Sequence, residues 1–256
     1  MKLDRRRLFA GALAAVGGLL MGGCNRLSAS PSFQDFLISA QGLNRRGQRL
    51  FQTRMGLAQE FSAADISPAF RANGETNPKA PAYLALLANG FADYRLKVDG
   101  LVDRPLALSL EELRALPART QITRHDCVEG WSCIGQWTGA QLGALLDKAG
   151  LKPSARYLVF HCADEWDGRP GQRVHYYESI DLYDAHHPQT ILAYDMNGAP
   201  LPVAHGAPVR LRIERQLGYK HAKYVMRIEA TDRLDHIAGG KGGFWEDRGY
   251  EWYAGI

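Results

Sequence analysis

The residues best suited to chemistry in this chain are its four cysteines, Cys24, Cys127, Cys133 and Cys162. The most informative is Cys127, which lies in the run R-H-D-C-V-E-G-W-S at positions 124–132. A cysteine thiolate is a nucleophile and a soft ligand for metal ions. If Cys24 is acylated or removed, an odd number of thiols remains, which predicts a free thiol with a function. Two alternatives stay open: three buried thiols without chemistry, or a disulfide between Cys127 and Cys133.

Further motifs lie later in the chain. The run I-L-A-Y-D-M-N-G-A-P-L-P-V-A-H-G-A-P-V-R occupies positions 191–210, and G-Y-K-H-A-K follows at positions 218–223. Together with the cysteine run, these segments resemble the sulfite-oxidase-type family of molybdopterin oxidoreductases, and they occur in that family's order. The resemblance extends from about Asn73 to about Ala230.

The resemblance implies a molybdenum–molybdopterin cofactor, with Cys127 as both the metal ligand and the catalytic residue. One soft thiolate would match a metal already held by the pterin sulfurs, and would leave positions open for oxygen. Arg210 and Lys223 would supply charge to the pterin phosphate, although taken alone they are ordinary solvated strand charges. Cys162 stands where related reductases carry threonine, and His205 where they carry asparagine. The implied cofactor contacts are Asn73, Cys127, Cys162, His205, Arg210, His221, Ala222 and Lys223.

The implied reaction is a two-electron oxygen-atom transfer. The four residues after Cys127 are V-E-G-W, one acidic and none basic. Because sulfite is a dianion and like charges repel, this segment favours reduction of neutral S-oxides such as methionine sulfoxide. Arg124 or Arg169 could supply the missing positive charge. The alternatives are a sulfite oxidase-like dehydrogenase, and a metal-free, lipid-anchored binding protein that retains the fold.

Composition and motifs limit the partners. No C-x-x-C-H haem motif occurs, so electrons are expected from a separate partner, such as a membrane haem protein or a quinone-linked protein. The net charge of +4 would fall to about +1 after cleavage before Cys24, and no basic stripe indicates nucleic-acid binding. The chain ends soon after the resemblance does, without room for the dimerisation domain of animal and plant sulfite oxidases, so we expect a monomer.

The first residues predict export. The run D-R-R-R-L-F at positions 4–9 fits a twin-arginine signal. The apolar run that follows, from Leu8 to Met21, is short for a membrane span and is typical of a signal peptide. The sequence L-M-G-G-C, ending at Cys24, resembles a lipobox and predicts a lipid-anchored protein of the periplasm or cell envelope. An ordinary cleaved signal and an uncleaved anchor are the alternatives.

The chain is therefore expected to have three parts: a signal peptide at residues 1–23, a tether or arm at 24–67, and a molybdopterin-binding catalytic domain at 68–256. In the arm, residues from Phe33 to Ile38 could form part of a short helix, and the basic cluster Arg45–Arg49 lies in a predicted linker.

Strand patterns outnumber helices in the third part. Residues Leu142–Ala149 place their leucines on one helical face, and the pattern Thr138–Gln141 resembles a capping box before that helix. Scattered short helices among strands predict an α+β domain rather than alternating βαβ units. The resemblance implies more, namely the compact mixed sheet-and-helix fold of the sulfite oxidase catalytic domain.

Overall fold

The computed structural model describes residues 30–51, 55–167 and 173–256. The chain divides into two compact units, Met1–Phe51 and Gln52–Ile256. The predicted signal peptide, Cys24 and Arg169 lie outside the described residues.

The described residues form one long helix, four short helices and ten strands, with short turns between them. The helices are α1 (Pro31–Phe51), α2 (Pro81–Ala88), α3 (Leu110–Arg114), α4 (Leu142–Ala149) and α5 (Leu182–Ala185). The strands are β1 (Leu96–Gly100), β2 (Leu106–Leu108), β3 (Ala118–Asp126), β4 (Ser132–Gln141), β5 (Tyr157–Asp167), β6 (Arg173–Asp181), β7 (Ile191–Met196), β8 (Ala199–Pro200), β9 (Arg210–Arg212) and β10 (Val225–Thr231). Short 3-10 turns occur at Ala63–Asp65, Val203–His205, Gly218–Lys220 and Glu246–Arg248.

The first unit contains α1, which is longer than the short helix expected near Phe33. It runs for 21 residues and includes the basic cluster Arg45–Arg49 that was expected in a linker. Apolar residues recur at helical spacing, and Phe36, Leu43 and Leu50 repeat every seven residues, which favours one continuous helix. Among the described residues, no helix is both long enough and apolar enough to cross a bilayer.

Two five-stranded sheets form the second unit. One has the order β2-β1-β10-β5-β6, with β1 and β10 parallel and its other pairs antiparallel. The other has the order β3-β4-β7-β8, with β9 also paired to β7. Buried residues from both sheets share one apolar core, including Val98, Phe160, Leu192 and Leu211. The expectation of an α+β class is confirmed.

Helix α4 contributes Leu142, Leu145 and Leu146 to this core, as its sequence pattern predicts. The expected capping box at Thr138–Gln141 is wrong, because these residues belong to β4. The hydroxyl of Thr138 lies 2.8 Å from the hydroxyl of Thr120 on β3, and the N–H of Leu142 donates to the Thr190 carbonyl. Backbone hydrogen bonding next to the β4–β7 pair therefore takes the place of a side-chain cap at the start of this helix.

The second unit begins before the predicted domain boundary at residue 68. The N–H of Ala58 donates to Gln189 Oε1 at 2.7 Å, and the N–H of Phe61 donates to the Ile122 carbonyl at 2.9 Å. His187 Nε2 lies 2.9 Å from the Gly56 carbonyl oxygen. Part of the predicted arm is therefore hydrogen-bonded to the rest of the second unit.

A buried ion cluster joins the turn Gly218–Lys220 to β6 and to the C-terminal segment. Lys220 Nζ donates to Glu178 Oε1 at 2.5 Å and to Glu246 Oε1 at 2.6 Å, and all three side chains are buried. Burial, followed by the charge of Glu246, raises the pKa of Glu178 well above its usual range. The ammonium group therefore compensates two carboxyl groups that water does not reach.

Lys220→Met is expected to lower the free energy of unfolding by about 3–5 kcal/mol, because it leaves buried carboxylates without a counter-ion. The loss should shrink as the pH falls, since a buried carboxyl with a raised pKa costs least when it is protonated. Urea unfolding of the variant and of wild type at several pH values measures both effects. An equal loss at every pH would contradict this account.

Candidate active site

A cavity of about 210 Å³ lies beside Cys127, within the second unit. Its lining carries three carboxylates, Glu75, Glu129 and Asp164. Lys223 is the only lysine or arginine among the residues that line it. The cavity is therefore acidic where a site for a small anion would be basic.

Cys127 lies in the turn that follows β3. Its N–H donates to the Trp131 carbonyl at 2.9 Å, and its own carbonyl accepts from the N–H of Gly130, whose φ of 85° favours glycine. The side chain is 9% exposed, and burial raises the pKa of the thiol. Metal binding must therefore displace a thiol proton. Cys127 and Cys133 are both free thiols, so the alternative of a disulfide between them is wrong.

A buried group of donors lies around Arg210. Its guanidinium is 0% exposed, and only Nη1 has a partner among the described residues, the His205 carbonyl at 3.0 Å. Burial, followed by the charge of Arg212, lowers the pKa of Arg210 to about 9. Both guanidinium groups lie over the ring of Trp137, with Cζ 4.9 Å and 4.4 Å from its centroid. Two unpartnered guanidinium nitrogens in so dry a place need an anion.

Three more buried nitrogens in this region have no partner among the described residues. They are Trp137 Nε1, His125 Nε2 and His221 Nδ1. The two imidazole rings lie 5.0 Å apart, and burial followed by the charge of Arg212 lowers the pKa of each well below its usual range. Neutral imidazole donates from one ring nitrogen only. His125 Nδ1 accepts from Arg212, so its unpartnered Nε2 is a donor, whereas His221 Nε2 donates to the Gln216 carbonyl at 3.0 Å, so its Nδ1 is an acceptor. A phosphate-bearing cofactor would satisfy the donors of Arg210, Trp137 and His125, so the residues present fit the group that the resemblance implies.

Lys223 is held by backbone carbonyls. Its Nζ donates to Asn73 O at 2.6 Å, to Ala204 O at 3.0 Å and to Glu75 O. Burial, followed by the charge of Arg210, lowers the pKa of Lys223 to about 7. The side chain thus ties the loop at residues 73–75 to the turn Val203–His205, and those carbonyls take all three of its N–H donors.

The structure brings together four of the predicted site residues, since Asn73, Cys127, His221 and Lys223 all line the cavity. The remaining predicted residues, His205, Arg210, Cys162 and Ala222, lie outside the lining. His205 packs edge-on against Phe70, and burial lowers its pKa to about 4.

Cys162 and Ala222 are buried in the core. The thiol of Cys162 lies 3.8 Å from the Phe160 carbonyl, and the carbonyl of Ala222 accepts from the N–H of Leu211 at 2.8 Å. Their roles in cofactor binding stay predictions.

Asp164 is a site residue that sequence reasoning missed. It is 3% exposed, its Oδ2 accepts from Trp166 Nε1 at 3.0 Å, and its Oδ1 has no partner among the described residues. Burial raises its pKa to about 6. A buried acceptor of this kind suits the N–H groups of a pterin. The only signal in the sequence was a D-E-W run at the end of a buried strand.

Aromatic side chains form the rest of the wall, and sequence reasoning missed most of them. Trp166 comes from β5, Tyr176 from β6 and Tyr219 from the turn Gly218–Lys220. Trp245 and Tyr250 come from the C-terminal segment. The C-terminal segment therefore reaches the cavity.

Glu129 lies at the cavity rim. Its Oε2 accepts from Trp131 Nε1 at 3.0 Å and lies 3.8 Å from Arg71 Nη2. Arg124, which could have supplied charge to the site, is instead bonded to Asp126 at 2.9 Å and does not line the cavity. Arg71 therefore partly offsets the charge of Glu129 at the rim, while Arg124 adds no positive charge to the cavity lining.

These features define a class: an α+β domain in which a buried thiol lines a ligand cavity and a buried guanidinium with unpartnered nitrogens lies nearby. The chain belongs to the family described as the oxidoreductase molybdopterin binding domain, whose model matches residues 85–236. It is an enzyme of that oxidoreductase class, and the resemblance drawn from its motifs is confirmed.

Two similar proteins and one solved structure extend this comparison. The chain is 35% identical over its whole length to the "Putative protein-methionine-sulfoxide reductase subunit" of Azospira oryzae, and covers 89% of it. It is 30% identical to the protein-methionine-sulfoxide reductase catalytic subunit of Xanthomonas campestris pv. campestris, over 92% of this chain and 72% of the relative. Among solved structures, the sulfane dehydrogenase of Paracoccus pantotrophus matches 56% of this chain and 39% of its own, with 26% identity and a TM-score of 0.48.

Proposed function

We propose that this chain holds a molybdenum–molybdopterin cofactor through Cys127 and reduces S-oxides such as methionine sulfoxide. The observation that carries the choice of substrate is the charge of the cavity. Three carboxylates line it, and the single ammonium group, on Lys223, already donates to three carbonyls. A neutral S-oxide can enter such a site at little electrostatic cost, whereas a dianion is repelled. The names of the two reductase relatives support the same substrate class.

The residues of the chain have distinct tasks in this proposal. Arg210 and the neighbouring imidazole of His125 would hold the pterin phosphate, and Asp164 would accept N–H groups of the pterin. The thiolate of Cys127 would fix the metal and leave its other positions accessible from the cavity. When bound, the cofactor supplies two-electron oxygen-atom transfer as molybdenum cycles between oxidation states VI and IV. The protein contributes position, charge and exclusion of water.

Steady-state assays on one metal-loaded preparation test the substrate choice. With a viologen donor, we expect turnover of methionine sulfoxide to exceed oxidation of sulfite with a matched acceptor. Glu129→Gln removes one carboxylate from the rim and should raise kcat/KM for sulfite by roughly fivefold, the effect of about 1 kcal/mol. It should leave kcat/KM for methionine sulfoxide nearly unchanged. Faster turnover of sulfite than of S-oxides by wild type would overturn the reductase proposal.

Electrons must reach the cofactor from outside this chain in our proposal, because the sequence contains no C-x-x-C-H haem motif. A membrane haem protein or a quinone-linked protein would serve as donor to a monomeric catalytic subunit. The word "subunit" in the names of both relatives supports a separate partner.

The site of action in the proposal is the periplasm or cell envelope, with a lipid anchor at Cys24. The support is the paired arginines at positions 6 and 7, since twin-arginine export carries folded proteins and suits a cofactor loaded before export. Changing both Arg6 and Arg7 to lysine should retain the protein in the cytoplasm with its signal uncleaved. Cell fractionation with immunoblotting measures this, and unchanged export of the double variant would show that the signal is of another type.

A further inference from the structure

The C-terminal segment supplies two aromatic rings, those of Trp245 and Tyr250, to the lining of the cavity. The rings of Trp245 and Tyr250 are stacked at 5.3 Å with an interplanar angle of 26°. Trp245 also meets Trp166 edge-on at 5.6 Å, and Tyr250 meets Tyr219 edge-on at 5.2 Å. All four residues line the cavity that contains Cys127. Neighbouring rings therefore support Trp245 on two sides before any ligand binds.

The backbone on either side of Trp245 is also fixed. The N–H of Phe244 donates to the Tyr177 carbonyl at 2.9 Å, and Glu246 Oε1 accepts from the buried ammonium of Lys220 at 2.6 Å. Asp247 Oδ2 accepts from the Tyr177 hydroxyl at 2.5 Å. The residues before and after Trp245 are thus tied to β6 and to the turn that carries Tyr219. A surface held in this way can select ligands by shape, because a ligand cannot push it aside cheaply.

An S-oxide has two chemically different ends. Its oxygen is the end that reacts, and its sulfur carries apolar substituents with partial positive charge. Aromatic faces carry negative electrostatic potential and attract such groups, and sulfur–aromatic contacts are favourable in their own right. Because Cys127 and Trp245 line the same cavity, the oxygen can face the thiol side while the substituents lie on the rings.

We propose that Trp245 is a specificity-determining residue, whose ring binds the larger apolar substituent of the S-oxide and so sets which S-oxides the enzyme prefers. This inference rests on the proposed function. It predicts that the preference for a bulky over a small sulfoxide depends on Trp245, while the reaction itself does not.

The test compares methyl phenyl sulfoxide with dimethyl sulfoxide. In Trp245→Ala, the ratio of their kcat/KM values should fall about tenfold or more, because a lost apolar contact in a pocket costs 10–200-fold. The fall should lie in the KM for the aryl substrate more than in its kcat. Trp245→Phe should recover much of the ratio.

The matched control is Trp252→Phe, since Trp252 lies in the same segment but contacts Lys220 and Ser179 and does not line the cavity. This variant should keep the wild-type ratio. An unchanged ratio in Trp245→Ala, or an equal fall in Trp252→Phe, would overturn the proposal. So would a fall in kcat that is equal for both substrates.

A second readout does not depend on turnover. Binding of methyl phenyl sulfone, an analogue that offers no sulfoxide to reduce, is measured by calorimetry on preparations with equal molybdenum content. Trp245→Ala should weaken binding about tenfold, and an unchanged affinity would overturn the proposal. If Trp245→Ala does not fold, Trp245→Phe and Trp245→Leu are judged by the same criteria. If wild type reduces no sulfoxide, the proposed function fails, and sulfone binding alone then decides the role of Trp245.

Discussion

Replacing Cys127 by serine will lower turnover more than about 100-fold, while the protein still folds and still binds pterin. Loss of residues that only support a metal ligand costs 10–100-fold, so loss of the ligand itself must cost more. Serine has nearly the same shape as cysteine, and the turn is held by backbone bonds at Trp131 and Gly130, so the fold should survive. The harder oxygen ligand would alter the electronic properties of the metal.

The measurement is kcat with methionine sulfoxide, together with pterin content and the unfolding temperature. Cys133→Ser is the matched control, because Cys133 is also a free thiol, lies opposite His125 in the β3–β4 pair and does not line the cavity. Near wild-type turnover in Cys127→Ser would remove the assignment of Cys127 as the metal ligand.

Replacing Arg210 by methionine should have opposite effects on the cofactor-free and cofactor-loaded protein. Without cofactor, Arg210 is a buried cation next to Arg212, with two guanidinium nitrogens unpartnered among the described residues. Methionine of similar length removes that burial cost, so the cofactor-free variant should be as stable as wild type or more stable. With cofactor, hydrogen bonds to the phosphate are lost, each worth about 1.5–3 kcal/mol. Pterin affinity should therefore fall at least about tenfold.

Two measurements separate these effects: the Tm of cofactor-free protein, and the pterin retained after gel filtration. The matched control is Arg114→Met, which breaks a partly exposed ion pair with Asp195 away from the cavity. That variant should lose about 1 kcal/mol or less and keep its pterin. Full pterin retention in Arg210→Met, or a large drop in the Tm of its cofactor-free form, would show that Arg210 has a structural role instead.

Local patterns in the sequence predicted those parts of the fold that local interactions decide. The leucine face of α4 is buried as its spacing indicates, because helical periodicity places those residues on one side. The cap proposed for the same helix failed because Thr138 pairs with Thr120 across the β3–β4 ladder, and such a pairing is invisible in the local sequence. Helix α1 extends far beyond the predicted segment from Phe33 to Ile38, because apolar residues keep helical spacing along its length.

The site residues also divide into those that the sequence alone predicts and those that only the folded structure reveals. Motif residues such as Cys127 and Lys223 could be selected from the sequence because short runs around them resemble a known family. Asp164 and Trp245 carried no such signal. Their place at the cavity depends on β5 and the C-terminal segment meeting through long-range contacts, such as the Trp166–Trp245 ring pair. The unpartnered nitrogens of Arg210 likewise become informative only once its complete burial is known.

The central claim is that Cys127 binds molybdenum in a molybdopterin oxidoreductase. X-ray absorption at the molybdenum edge, on purified wild type and Cys127→Ser with metal and pterin quantified, tests it most directly. We predict that wild type contains molybdenum and pterin in equal amounts, and that its metal has one more sulfur neighbour than the metal in the serine variant. The claim would be contradicted if wild-type protein purified from its native host contained no molybdenum. It would also be contradicted if molybdenum had the same number of sulfur neighbours in the two proteins.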